Sequence, residues 1–123
     1  MFIMSIIEIK TILKVKNSIH EFVVKAIKKG NTIVYDDSGV LTKIVIDEVV
    51  SLERKKDYYI MFNFKNGECL AGKYQTNEGD LSLKIETLDL DLQKDGIKIK
   101  YNLIINNVFI DTFWFYLQYT IDR

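Results

Sequence analysis

The chain has 123 residues, and its 17 Lys plus Arg balance 17 Asp plus Glu, leaving no formal net charge. That length reads as one domain, residues 1–123, around a single core, and the charge balance gives no field that would draw the protein to nucleic acid or to a membrane surface. Arginine occurs only at Arg54 and Arg123, so bidentate readers of phosphate and guanine are scarce, while one Cys and one His exclude an intramolecular disulfide and the common Cys/His zinc frameworks.

The opening stretch MFIMSIIEIKTILKV is apolar but is interrupted by Glu8 and Lys10. It has no basic n-region and no small-residue cleavage site, so it reads as a strand rather than a signal or membrane segment. Turn signals then recur about every ten residues: KN at 16–17, KKGN at 28–31, DDSG at 36–39, KKD at 55–57, NG at 66–67, NEGD at 77–80, DG at 95–96 and NN at 106–107. Runs rich in Ile, Val, Tyr and Phe lie between them. The stretch VLTKIVIDEVVSLERKK has near-helical spacing of apolar residues, but its β-branched content favours two strands. Short strands joined by Asn-Gly, Asp-Gly and Asn-Asn turns predict an all-β, antiparallel up-and-down barrel of about eight to ten strands. The absence of proline and the abundance of Ile, Lys and Asn suggest an AT-rich bacterial genome, and the lone Cys69 fits a reducing cytoplasm.

Register can be counted from the turns. A two-residue turn at Asn66-Gly67 would pair Phe64 with Cys69 and bury that thiol. A turn at Asp95-Gly96 pairs Leu92 with Ile99 and Leu90 with Tyr101 on an apolar face, and sets Asp91 against Lys100 and Asp89 against Asn102 on the other. Leu81, Leu83 and Ile85 have the opposite parity to Leu88 and Leu90. A bulge at Glu86-Thr87, opposite Ile104, would bring Ile85 and Leu88 to the same inner face. Counting through Asn106-Asn107 places Tyr101, Thr112, Trp114, Tyr116 and Gln118 inside, and leaves Phe109, Phe113, Phe115 and Leu117 outside as an apolar surface in need of cover.

KYQTNEGDLSLKIETLDLDL followed by DGIKIKYNLIINN resembles the YwiB-like bacterial proteins, a family of calycin-type β-barrels without an established function. The matching features are Tyr74 and Thr76, Gly79 entering an alternating strand with Leu81 and Leu83, Thr87 at the end of that strand, and a Gly96-led strand with Ile97, Ile99 and Tyr101. The likeness covers about residues 66–121. It implies a barrel related in shape to lipocalins and fatty-acid-binding proteins, and brings no catalytic or binding residues with it.

Candidate chemistries are few. Asp89, Asp91 and Asp95 lack the wrapped-loop oxygens that calcium requires and read as a solvated face with a turn aspartate. Asp36, Asp37 and Ser38 are standard turn formers. His20 and Cys69 have no third, orienting group, and Arg54, Lys55 and Lys56 read as a solvated strand edge. No glycine-rich phosphate loop, serine-nucleophile motif or dinucleotide fingerprint is present. No metal or cofactor is therefore expected, and an enzyme ranks third among the readings, since the acid-base candidates are scattered carboxylates and one His. The reading is a cytoplasmic barrel that binds a small apolar or amphipathic ligand among Tyr101, Thr112, Trp114, Tyr116 and Gln118. Its alternative is a protein-interaction module or homodimer formed through Phe109, Phe113, Phe115 and Leu117.

Overall fold

The structure, a computed structural model, describes residues 4–121. Its strands are β1 (Met4–Val15), β2 (Ser18–Lys29), β3 (Thr32–Asp37), β4 (Val40–Val45), β5 (Val50–Lys55), β6 (Tyr59–Phe64), β7 (Cys69–Ala71), β8 (Lys73–Thr76), β9 (Gly79–Leu81), β10 (Leu83–Gln93), β11 (Gly96–Ile105) and β12 (Val108–Ile121). Among the described residues there is no helix, hence none long and apolar enough to cross a membrane. The ambiguous stretch at 40–56 forms the two strands β4 and β5, as its β-branched residues require.

All twelve strands belong to one antiparallel sheet, in the order β7-β10-β11-β12-β1-β2-β3-β4-β5-β6-β8-β9. Two-residue turns drive this meander. Lys16, Gly30, Ser38 with Gly39, and Asn106 with Asn107 all have positive φ, which gives turns whose twist matches that of the strands they join. The strand number exceeds eight to ten because residues 69–81 are divided into three short pieces.

Those pieces close the barrel. β7 pairs with β10 at one end of the sheet, and β8 pairs with β6 at the other. The two are consecutive in sequence, joined by Gly72 alone. Asn63 Nδ2 donates to the Ala71 carbonyl at 3.1 Å, and the Gly72 N–H donates to the Leu83 carbonyl at 2.9 Å. A Cβ on Gly72 would lie 2.2 Å from the Met61 carbonyl oxygen and 2.9 Å from Leu83 Cδ2. Only glycine lets the chain pass from one edge to the other at this distance. Thr87 supports the same seam: its backbone binds Gly67 and Glu68, and its buried hydroxyl accepts from the Lys65 N–H at 3.2 Å.

This crossing corrects the hairpin expected at 66–67. The turn is present, but Cys69 pairs with Glu86 of β10 rather than with Phe64, and the thiol is exposed. A second correction concerns β10. Its register shifts between Thr87 and Asp89, which leaves Leu88 as the extra residue, one or two positions beyond the expected Glu86-Thr87. Ile85 is fully buried as anticipated, whereas Leu88 is exposed instead of inward. A third concerns the turn before β11, which is Lys94-Asp95, with Gly96 already in the strand opposite Gln93. A Cβ there would lie 2.2 Å from the Leu117 carbonyl oxygen, so this glycine serves close approach of β12 rather than the turn. Asp91 and Asp89 consequently face Lys98 and Lys100.

The largest correction falls on β12. Ile105 pairs with Val108 and Ile104 with Phe109, but Leu103 pairs with Asp111, so Ile110 is an extra residue. That bulge reverses the parity of everything after it. Phe115 and Leu117 are buried, and the Phe113 ring stacks on Tyr101 with centroids 5.3 Å apart. Thr112, Trp114, Tyr116 and Gln118 take the outer face. There Lys100 lies over the Trp114 ring, at 5.2 Å from its centroid, and Lys14 and Lys98 flank Tyr116. The outer aromatics are thus roofed by lysine side chains whose charges still reach water. Of the four residues expected as an apolar interface, only Phe109, near the hairpin tip, is exposed.

Three substitutions test this packing. Gly72→Ala should lower unfolding stability by about 1–3 kcal/mol in denaturant titrations, because its methyl group has no room. Phe115→Ala should cost about 3–5 kcal/mol and Trp114→Ala only about 1 kcal/mol. The reverse ranking would restore the register without a bulge at Ile110.

Candidate functional site

The barrel interior has two halves. Along each strand one part of the inner face is tightly filled: Ile7 and Ile9 on β1, Ile33 on β3, Ile44 on β4, Val50 on β5 and Leu117 on β12 are all 0% exposed. Two residues further along the same strands the interior becomes hollow. A cavity of about 360 Å³ lies there, within the range of small-ligand sites, about 300–1,000 Å³. Its apolar lining comes from Leu13, Phe22, Leu52, Phe62, Phe64 and Phe115. Tyr101 sits in the middle of this cage, with its ring centroid 5.0 Å from Phe64 and 6.0 Å from Phe62.

The polar lining is concentrated. Thr11, Tyr35, Asp37, Thr42, Arg54 and Tyr101 line the same hollow, and exposed His20 stands at its rim. Strand alternation explains their arrival. Arg54 follows Val50 and Leu52 at every second position of β5, and Tyr35 and Asp37 follow Ile33 on β3, so the parity that buries the core also turns these groups inward. Arg54 Nη2 contacts Asp37 Oδ2 at 2.9 Å, and neither side chain is more than one third exposed. Arg54 Nε is buried without a hydrogen-bond partner, and an unsatisfied buried donor costs about 1–3 kcal/mol. Thr42, fully enclosed, donates to the Val40 carbonyl at 3.2 Å.

The two phenols are held in their neutral form. Burial pushes Tyr35 up to about 12, with Arg54 opposing and Asp37 reinforcing the shift. Burial also raises Tyr101, again opposed by Arg54. Both hydroxyls are therefore donors over the physiological range.

The wall beside the cavity divides. β2 pairs with β1 over its full length but with β3 only through Ile27–Lys29 and Thr32–Val34. Past that point the two strands separate, and the Phe22 and Tyr35 rings, 6.1 Å apart, span the gap. A larger depression of about 700 Å³ lies on the outer face, between Met4, Ile27, Leu41 and Tyr59. Its polar groups are already partnered or solvated: the Tyr59 hydroxyl donates to Glu53 at 2.6 Å, which raises its pKa to about 12. Among the described residues, only the inner hollow combines enclosure with a buried polar group that lacks a partner.

Of the residues expected to line the interior, the structure brings Tyr101 alone into the hollow. Thr112, Trp114, Tyr116 and Gln118 stand outside, with Thr112 in an outer hydrogen-bond chain through Asn102 to Glu86. The sequence patterns place Arg54 on a strand edge and Asp37 in a turn, and single out neither Tyr35 nor Thr42. Their shared parity with Leu52, Ile33 and Ile44 is the signal that points them inward. No group of three or more His, Cys, Asp or Glu side chains able to hold a metal ion occurs among the described residues.

The sequence matches the family described as Domain of unknown function (DUF1934) over residues 7–117. The chain belongs to that family. Among curated proteins none matches it. The DUF1934 chain is similar in structure to the ywiB protein from Bacillus subtilis, known from a crystal structure, with a TM-score of 0.61 and 17% sequence identity, over 94% of this chain and 92% of that one. At that identity the likeness establishes the fold alone, an antiparallel β-barrel.

The raised phenols have a consequence for stability. Tyr35 ionises near 10 when unfolded and near 12 when folded, so its contribution is complete below pH 10 and disappears as the pH rises towards 12. Denaturant midpoints should therefore fall across pH 10–12, and Tyr35→Phe should flatten that fall. An unchanged slope in the variant would place Tyr35 in water.

Proposed function

We propose that this DUF1934 protein is a non-enzymatic binding protein that takes up a small, partly apolar molecule in the hollow half of its barrel. The observation that carries the reading is the coexistence, in one barrel, of a filled half and a 360 Å³ cavity. Folding alone would favour collapse of that space, since a void forfeits the dispersion contacts of its lining. Aromatic walls with a few converging polar groups match the composition of ligand pockets rather than of a core. Catalysis is not required of these groups, because the phenols remain protonated and the ion pair is internally compensated. Residence in a reducing cytoplasm agrees with the free, exposed Cys69. The dimer reading loses its surface, because Phe113, Phe115 and Leu117 are inside.

A neutral fluorescent probe tests the proposal. N-phenyl-1-naphthylamine should bind saturably, with a blue shift in emission. Leu13→Trp, which adds bulk at the partly exposed end of the hollow, should weaken that binding at least tenfold while leaving the circular dichroism spectrum intact. Non-saturating enhancement, or binding indifferent to Leu13→Trp, would assign the probe to the outer surface and remove the reading.

A further inference from the structure

The hollow's polar groups are unbalanced in kind. Arg54 carries five N–H donors, and the contact to Asp37 engages its Nη2. Its Nε–H is buried with no acceptor. Tyr35 and Tyr101 add two hydroxyls, for which no hydrogen bond is formed among the described residues. Arg54, Tyr35 and Tyr101 all line the same cavity, so its donors come from three strands onto one space. Against this, the carboxylate of the lining is that of Asp37, already in contact with Arg54, and the Thr11, Thr42 and tyrosine hydroxyl oxygens offer only neutral acceptors. An apolar molecule would leave the Nε–H unanswered. A cation would meet the guanidinium first.

We propose that the ligand of this hollow carries a carboxylate, which seats on Arg54 and accepts from the Tyr35 and Tyr101 hydroxyls, while its apolar body lies among Phe22, Phe62 and Phe115. The inference rests on the interior-binding reading and adds to it the chemical class of the ligand. Geometry favours a carboxylate over a phosphate. One guanidinium, partly offset by Asp37, matches a single negative charge, and no glycine-rich turn offers backbone N–H groups for a dianion. The volume suits a ring with a short acidic arm rather than a long acyl chain.

Displacement of N-phenyl-1-naphthylamine by three compounds that share one body decides the matter: 1-naphthylacetate, 1-naphthylacetamide and 2-(1-naphthyl)ethylamine. The acetate should displace the probe at a concentration at least tenfold below the amide, and the amine should be weakest. In the double variant Arg54→Met with Asp37→Leu, which removes both charges so that neither is left buried alone, the acetate's advantage should vanish. Equal displacement by acetate and amide, preference for the amine, or an advantage that survives in the double variant would overturn the carboxylate. If the double variant does not fold, the wild-type ranking decides alone. Failure of the neutral probe to bind the wild type would remove the interior-binding reading itself, whereas probe binding without acetate preference would remove only the head group.

Discussion

A curved sheet encloses a hollow only if its two ends meet, and here they meet on a single glycine. Gly72 lies between the strand that pairs with β10 and the strand that pairs with β6, so one short segment stitches both edges of a twelve-stranded sheet. Closure removes the exposed edges at that seam, which would otherwise be templates for aggregation. It also defines which face is inside. The interior depends on this, because residues 60–64 and 83–87 become adjoining walls of one space instead of the far ends of an open ribbon. Thr87 reinforces the seam from the β10 side, binding the 65–68 turn through both its backbone and its hydroxyl.

Within the closed wall, the two halves of the interior divide the tasks of stability and binding. Isoleucine, valine and leucine fill one half with side chains that have no polar atoms to satisfy. The other half is lined by rings that are too rigid to fill it and by polar groups that resist burial against one another. The Arg54–Asp37 pair is the pivot of this second half. As a partly buried pair it contributes little net stability, since desolvation offsets attraction. Its guanidinium nevertheless fixes a strong donor in an apolar hollow, where a hydrogen bond is worth more than in water.

The all-β class, the turns at 16–17, 30–31, 38–39 and 106–107 and the inner face of β11 were legible in the chain, because alternation and positive-φ turn residues are local signals. The burial of Ile85 and the need for a bulge before Leu90 were legible for the same reason. The β12 face was not. Phe109, Ile110, Phe113, Trp114, Phe115 and Tyr116 are apolar at both parities, so a one-residue bulge at Ile110 leaves no trace in the pattern yet reverses the faces of every later residue. Gly72 gave no warning either, since it stands alone in its stretch and its role lies in contacts with residues eleven positions away on either side. The site was missed for a related reason. Arg54 and Asp37 stand in stretches with the composition of edges and turns, and only their parity relative to Leu52 and Tyr35 reveals that they face inward.

The most direct measurement is the nitrogen-proton spectrum of the arginine side chains. The sequence has two arginines, and their Nε–H signals are assigned by Arg54→Lys. Arg54 Nε–H should exchange with water much more slowly than that of free arginine, and its signal should move on addition of 1-naphthylacetate. Exchange at the free-arginine rate, with no response to the acid, would put the guanidinium in solvent and contradict a ligand-ready interior.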